Sequence, residues 1–196
     1  MEKENKKSKL YKIAVARKVN AVISLICSFL ILLHGTYDAF WMMLRGKITT
    51  LPKPVAVLLV IFVVVHAILS IVTAILGSGG KTNQKGNEYK KANIKTIIQR
   101  VFGVLIMLLL VLHIIGMQNY LAPKILHSIV HPIFFLVVYA HTAISFSKAF
   151  ITLGIGNAKF IKVMDIVMTI LCILIFIASV VGLYLVMYGR WLGWKK

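Results

Sequence analysis

Acidic residues are scarce in this chain: five Asp and Glu stand against 23 Lys and Arg in 196 residues, a formal net charge of +18. In a soluble protein this imbalance would suggest a nucleic-acid partner. Here the basic residues lie between long apolar runs, which is the charge pattern of the loops of membrane proteins. The charge therefore favours an integral membrane protein over a nucleic-acid-binding one.

Cysteine is almost absent as well, and the lack of paired cysteines limits the ways in which a haem could be attached. Cys27 and Cys172 both fall within apolar runs, and there is no CxxC pair. This excludes covalent haem attachment through a CxxCH motif, and we expect both thiols to be inert core groups. Charged residues make up only 14% of the chain, so no soluble catalytic domain of useful size fits outside the apolar runs.

The hydrophobic residues, 60% of the chain, are gathered into five runs long enough to cross a bilayer. Backbone polar groups in lipid must be satisfied within their own segment, so each run is predicted to be a helix. The fold class is therefore all-α, a five-helix transmembrane bundle over residues 20–188, with a basic cytoplasmic tail over 1–19 and a short extracytoplasmic tail over 189–196. The predicted spans are 20–44, 55–76, 97–117, 125–153 and 163–188.

The distribution of basic residues predicts the orientation. Sixteen Lys and Arg flank the N-terminal side of these spans and seven flank the opposite side. By the positive-inside rule the N-terminus is cytoplasmic and the C-terminus lies outside, in a multi-pass protein of the cell membrane. The uncleaved first apolar run is too long for a signal-peptide core.

Four of the six histidines fall deep within separate spans, where an ionisable residue indicates function. At 1.5 Å per residue, His34 and His113 lie roughly 21 and 23 Å from the cytoplasmic ends of their helices. His66 and His141 lie roughly 15 and 17 Å from those ends. Two layers of two imidazoles predict two b-type haems, each with iron held by one pair.

Other interpretations of the histidines stay open at this point. Any one of the four could be a buried, hydrogen-bonded bundle residue, and the pairing is less secure than the ligand set. Met107 and Met117 flank His113 and offer the alternative axial ligand. We interpret His127 and His131, an i, i+4 pair at the outer start of the fourth span, as interfacial polar residues, with proton exchange near a quinone as the minority option.

With its histidines in place, the chain resembles the cytochrome b membrane-anchor subunit of succinate dehydrogenase and fumarate reductase, in the five-helix, two-haem, single-chain form. The resemblance covers roughly residues 12–188. It lies in Gln99-Arg100-Val-Phe-Gly103 before a Leu-rich run ending in His, and in the segments His66-Ala-Ile-Leu-Ser70 and His141-Thr-Ala-Ile-Ser145. Phe102 stands where the family often has Ser, the Gly-Arg that commonly follows the fourth His is absent, and no span contains Glu.

The resemblance implies cofactors and partners. The cofactors are two haem b groups on His34, His66, His113 and His141, with menaquinone or a similar quinone as the membrane substrate. The partners are a flavoprotein subunit and an iron–sulfur subunit docked on the cytoplasmic face. Because no span contains Glu, family proton chemistry that relies on an intramembrane Glu cannot be assigned to this chain.

A quinone site needs a group that exchanges protons near a haem, and acids within the spans are few. Asp38 is one helical turn beyond His34 on the same face and is the candidate catalytic acid. Trp41 and Arg45 follow as an aromatic wall and a cation, and an aromatic belt with a snorkelling Arg is the equally weighted alternative. Asp165 is expected to cap its helix or to pair with Lys162 or a loop Lys.

Two rival functions remain. One is a dihaem b subunit of another oxidoreductase, which the sequence separates poorly from the first. The other is a haem-free transporter or scaffold that uses the histidines as proton relays, for which paired broken helices in inverted repeats would be typical.

Overall fold

Five α-helices make up nearly all of the described chain. The computed structural model of the protein describes residues 2–45, 53–77, 87–118 and 126–189. A short π-helical turn over Leu126–Val130 leads directly into the fourth helix. The helices are α1 (Glu2–Arg45), α2 (Lys53–Gly77), α3 (Asn87–Gln118), α4 (His131–Leu153) and α5 (Ala158–Gly189).

Each helix is long and apolar enough to cross a membrane. The candidate spans within the described residues are Leu10–Leu44, Val55–Ile75, Ile94–Gly116, Ser128–Leu153 and Ala158–Tyr188. The prediction of an all-α, multi-pass membrane protein with five spanning helices is confirmed. Dozens of large apolar side chains stay exposed, as expected of surfaces solvated by lipid rather than by water.

Two helices begin earlier than the sequence indicated. α1 starts at Glu2 instead of residue 20, because the Lys-rich tail contains no Pro or Gly and continues the helix without a break. α5 starts at Ala158 instead of residue 163. Its first turn is capped by Asn157, whose Oδ1 accepts a hydrogen bond of 2.9 Å from the backbone N–H of Phe160.

The α4–α5 connection is a tight turn that the glycines make possible. Gly154 takes the left-handed conformation with φ 75°, and its N–H bonds to the carbonyl of Ile151. The N–H of Ile155 bonds to the carbonyl of Phe150, which completes the usual glycine-terminated helix end. α4 and α5 therefore leave this turn as antiparallel neighbours.

α1 and α4 form the centre of the bundle. α1 packs against α2, α4 and α5, whereas α4 packs against α1, α3 and α5. Small residues permit the closest approach: a Cβ at Gly182 of α5 would meet Met42 Cβ at 3.0 Å and the Ala39 carbonyl oxygen at 3.3 Å. α2 and α3 lie at the periphery, and their apolar windows contain no buried residue.

The two ends of the bundle are called here the inner and outer faces. The inner face holds the start of α1 and the α4–α5 turn, and the outer face holds the π-helical turn and the end of α5. The pairs α1–α3 and α2–α4 are not among the extensively packed helix pairs of the described chain. These two diagonals cross the interior, and the histidines lie on them.

Candidate functional site

The four deep histidines form two pairs across the bundle. His34 of α1 faces His113 of α3, with ring centroids 6.4 Å apart and planes at 80°. His66 of α2 faces His141 of α4, with centroids 6.5 Å apart and planes at 74°. These are the partners that the depth argument predicts, the first pair toward the outer face and the second toward the inner.

The spacing of the rings fits two imidazoles on opposite sides of one iron. A metal lies about 2 Å from each ligating nitrogen, which places two collinear ring centroids roughly 6.2 Å apart. Within the described residues no group of three or more His, Cys, Asp or Glu is arranged to hold a metal ion. Two imidazoles per site are too few for a bare ion but suit an iron whose remaining ligands come from a macrocycle.

Hydrogen bonding sets the tautomer of His141 in the inner pair. The Nδ1–H of His141 donates to the backbone carbonyl oxygen of Gln99 at 3.0 Å. Since a carbonyl oxygen only accepts, Nδ1 carries the proton and Nε2 keeps its lone pair for a metal. The same Gln99 donates from Nε2 to Ser145 Oγ at 2.9 Å and accepts at Oε1 from Lys148 Nζ at 2.7 Å.

The inner pair is thus surrounded by amides and hydroxyls. Asn20 of α1 donates from Nδ2 to Ser70 Oγ of α2 at 3.1 Å, one turn from His66. Gly103 of α3 leaves room beside the ring, because a Cβ there would come no closer than 3.6 Å to His141 Cε1. The glycine that ends the Gln99–Gly103 motif therefore lies next to an imidazole.

A carboxylate accompanies the outer pair. Asp38 Oδ2 lies 3.2 Å from His34 Nδ1, at ion-pair distance but out of line for a straight hydrogen bond. The Asp38 side chain is 12% exposed, and its Oδ1 has no hydrogen-bond partner within the described chain. A carboxylate at Nδ1 is the usual device that orients a metal-ligating imidazole and makes it more basic.

Aromatic rings fill the remaining space around the outer pair. His113 stacks on Phe134 with centroids 4.7 Å apart and meets Phe135 edge-on at 6.0 Å. The ring of His131 lies 5.2 Å from that of His113, which is too close for an iron between them. His131 is the first residue of α4, and its side chain is fully buried rather than exposed at the outer end. Its predicted depth at the membrane interface stays a prediction.

The other candidate residues at the outer end are only partly described. Trp41 is half-buried, and its ring lies 6.0 Å from that of Tyr37 and 6.5 Å from that of Phe40. The side chain of Arg45 lies outside the described residues, as do those of His127 and Met117. Their predicted roles stay predictions.

Asp165 does not cap its helix. α5 begins at Ala158, so Asp165 lies two turns inside the helix. The described residues form no ion pair between Asp165 and Lys162. The alternative pairing with a lysine of the loop before α3 lies outside the described residues and stays a prediction. Cys27 and Cys172 are buried free thiols, as predicted.

Sequence reasoning missed a hydroxyl pair between the two layers. The hydroxyls of Tyr139 on α4 and Ser179 on α5 share a buried hydrogen bond of 3.3 Å. The Tyr139 phenol lies directly over Gly35, the residue after His34. The one sequence signal that could have indicated this contact is the glycine directly after His34, but it does not identify Tyr139 as the partner.

Comparison of the chain with family models, curated proteins and solved structures gives no match.

Proposed function

We propose that this protein is the dihaem cytochrome b membrane-anchor subunit of a succinate:quinone oxidoreductase of the succinate dehydrogenase/fumarate reductase type. In this role it passes electrons between a partner iron–sulfur subunit and membrane quinone. The observation that carries the proposal is that four imidazoles form two facing pairs in one bundle. The ring centroids are 6.4 Å apart in one pair and 6.5 Å apart in the other. Haem b, when bound, would supply one-electron redox chemistry.

The chain's own residues would bind and orient these groups. His34 and His113 hold one iron, and His66 and His141 hold the other. The Gln99 carbonyl would fix the ring of His141 through a hydrogen bond. The Asp38 carboxylate, at ion-pair distance from His34 Nδ1, would act on that ring through its charge. Because both irons would be enclosed by apolar helices, water is kept from the ligand bonds.

A partner complex would dock on the inner face, which we propose is cytoplasmic in the cell membrane. Exposed cations of α1, α3 and α5 surround that end of the bundle and would attract an acidic protein surface. They include Lys12, Arg17, Lys18, Lys95, Arg100, Lys159 and Lys162. The flavoprotein and iron–sulfur subunits implied by the resemblance carry the succinate or fumarate chemistry in this proposal.

Quinone chemistry is proposed at the outer end. Asp38 Oδ1 is buried without a partner among the described residues, and it would accept a proton from a hydroxyl of menaquinol or a similar quinol. Trp41 on the next turn would bound the ring, and Arg45 would contact a quinone oxygen or a haem propionate. Asp38 also touches the ligand His34, which supports a positioning role beside the catalytic one.

Haem content tests the proposal as a whole. Pyridine haemochrome analysis of the purified full chain should return close to two protohaems per chain, removable by acid–acetone because no covalent motif is present. A value near zero would leave the haem-free transporter or scaffold as the better account. A value near one would retain only one pair as ligands.

The quinone site is tested separately with Asp38→Asn in the complete complex. This change keeps the shape of the side chain and removes the proton acceptor. Quinol-linked turnover should be lost, while both haems stay bound and the partner's succinate or fumarate reaction with an artificial dye survives. Normal quinone turnover in the variant would move the site away from Asp38.

A further inference from the structure

A long groove runs along α4 between α3 and α5, apart from the histidine pairs. It encloses about 660 Å³, and none of the four paired histidines lines it. Its floor consists of small residues one or two turns apart on α4, namely Ala140, Ala143 and Ser147. From Leu136 to Ile151 the groove spans fifteen residues of helix, or roughly 22 Å, which exceeds the roughly 15 Å of one leaflet's hydrocarbon.

The groove is divided by polarity along its length. Its charged lining residues, with Thr96, Ser147 and Thr169, lie at the inner end, and Leu136, Ile173 and Phe176 form the walls of its outer half. Tyr139 also lines the outer half, where its hydroxyl is hydrogen-bonded to Ser179. This division matches an amphiphile whose head group lies at the inner membrane surface and whose chain extends toward the bilayer centre. The inner-end residues are Lys95, Thr96, Ser147, Lys148, Asp165 and Thr169.

Positive charge predominates at the inner end. Among the described residues, Lys95, Lys148 and Asp165 line this end of the groove, and Arg100 lies near enough to act on the Lys148 ammonium, so three cations accompany one carboxylate. A second cavity of about 500 Å³ shares Ile151 and Asp165 with the groove and adds Lys162. The excess of cations favours an anionic phosphate over a neutral ring, and basic pockets between transmembrane helices are typical head-group sites.

We propose that this groove binds one anionic phospholipid, with its phosphate between Lys95 and Lys148 and one acyl chain on the small-residue floor of α4. The proposal depends only on the chain being a membrane protein, and it does not require haem or quinone binding. Lys148 also donates to Gln99, so the head group would contact the same ammonium that reaches the inner histidine pair.

Native mass spectrometry of the full chain in a neutral detergent tests this proposal. Dioleoyl-phosphatidylglycerol should bind as one tight adduct, at least tenfold more strongly than dioleoyl-phosphatidylcholine with the same chains. Inorganic phosphate at the same concentrations should not displace the lipid, because the acyl chain of the lipid contributes to its binding. Equal affinity for the two lipids, or displacement by free phosphate, would overturn the proposal.

Charge variants locate the head group. Lys95→Gln and Lys148→Gln should each weaken phosphatidylglycerol binding roughly fivefold, the effect of one basic residue near an anionic lipid. Lys12→Gln removes the same charge from an exposed position of α1 on the same face and should leave the affinity unchanged. An equal loss in all three variants would mean a general surface effect and would contradict a specific site.

A steric variant locates the acyl chain. Ala143→Phe should fill the floor and abolish the tight adduct, whereas Ala14→Phe on the exposed surface of α1 should not. Gel filtration checks that both variants fold, and the charge variants still decide the outcome if one does not. One-for-one displacement of phosphatidylglycerol by menaquinone in the unmodified chain would make the groove a quinone site and overturn the lipid assignment.

Discussion

The two histidine layers share one ligand type but differ in everything around it. The inner pair lies among neutral amides and hydroxyls, and two hydrogen bonds through Gln99 separate the Lys148 ammonium from His141. The outer pair lies among aromatic rings, with the Asp38 carboxylate against His34. In a bis-imidazole haem, the protein adjusts the potential through such neighbours, so equal ligands need not give equal haems.

The direction of the difference follows from charge. Reduction removes one positive charge from the iron, so a nearby cation favours the reduced form and a nearby anion favours the oxidised form. In the proposed dihaem protein, Lys148 would therefore raise the midpoint potential of the inner haem, and an ionised Asp38 would lower that of the outer haem. We expect the inner haem to have the higher potential.

The largest effect should come from removing a ligand. His141→Ala or His66→Ala should abolish one haem and leave the other spectrally intact, and His34→Ala or His113→Ala should abolish the other. The measurement is the reduced-minus-oxidised spectrum with haem counted by pyridine haemochrome.

His131→Ala is the matched control for the ligand variants. It removes a fully buried imidazole 5.2 Å from His113 that is not placed as a ligand, so both haems should remain. Loss of different haems from His34→Ala and His113→Ala would contradict the pairing.

A packing difference between the layers gives the next effect. A Cβ at Gly35 would collide with the Tyr139 hydroxyl, whereas a Cβ at Gly103 meets only ordinary contact at 3.6 Å. Gly35→Ala should therefore lower the free energy of unfolding by roughly 1–3 kcal/mol, the usual cost of overpacking, and Gly103→Ala by much less. Thermal unfolding in detergent measures both.

Tyr139→Phe in the Gly35→Ala background tests the cause of that loss. It removes the colliding oxygen and should recover part of the stability. Equal destabilisation by the two glycine variants, or no recovery of stability in the double variant, would show that the phenol contact does not account for the loss.

Neutralising Asp38 should change the outer haem alone. Asp38→Asn removes the negative charge beside His34 and should raise the potential of the lower-potential haem, on the order of 50 mV for a charge near a partly buried site. A redox titration followed at the haem absorption band measures it. An unchanged potential, or a shift in the higher-potential haem, would show that the Asp38 carboxylate does not affect the outer haem.

The smallest effect is expected from Lys148, because its contact with His141 passes through Gln99. Lys148→Met keeps most of the side-chain length and removes the charge, so the higher potential should fall by less than the shift at Asp38. Arg100→Met is the matched control, since its exposed side chain loses the same charge nearer to solvent. Equal shifts of the haem potential in both variants would indicate a general electrostatic effect of the cations at the inner face rather than a specific effect of Lys148.

The sequence could predict the features that depend on position along a helix. Apolar runs indicated five spanning helices, and counting residues paired His34 with His113 and His66 with His141, as the structure places them. Depth needs only the rise per residue. An error of about three residues at a helix end, roughly 4–5 Å, is close to the spacing between the layers, so the pairing was less secure than the choice of the four histidines.

Features that depend on rotation and packing could not be predicted in this way. The hydrogen bonds of Gln99 to Lys148 and His141 require α3 and α4 to be in a particular register. The burial of His131 depends on how the start of α4 packs against the other helices, which no apolar pattern indicates. The capping role predicted for Asp165 was wrong because α5 begins after the cap at Asn157, more than one turn before the predicted start at residue 163.

Low-temperature electron paramagnetic resonance of the oxidised, purified full chain can show whether two imidazoles bind each of two irons. We expect two low-spin ferric signals of the bis-imidazole type, each integrating to about one spin per chain. His34→Ala should remove the signal of one layer, and His141→Ala that of the other. A single signal, a high-spin or His/Met signal, or no haem signal at all would rule out ligation of two haems by these four histidines.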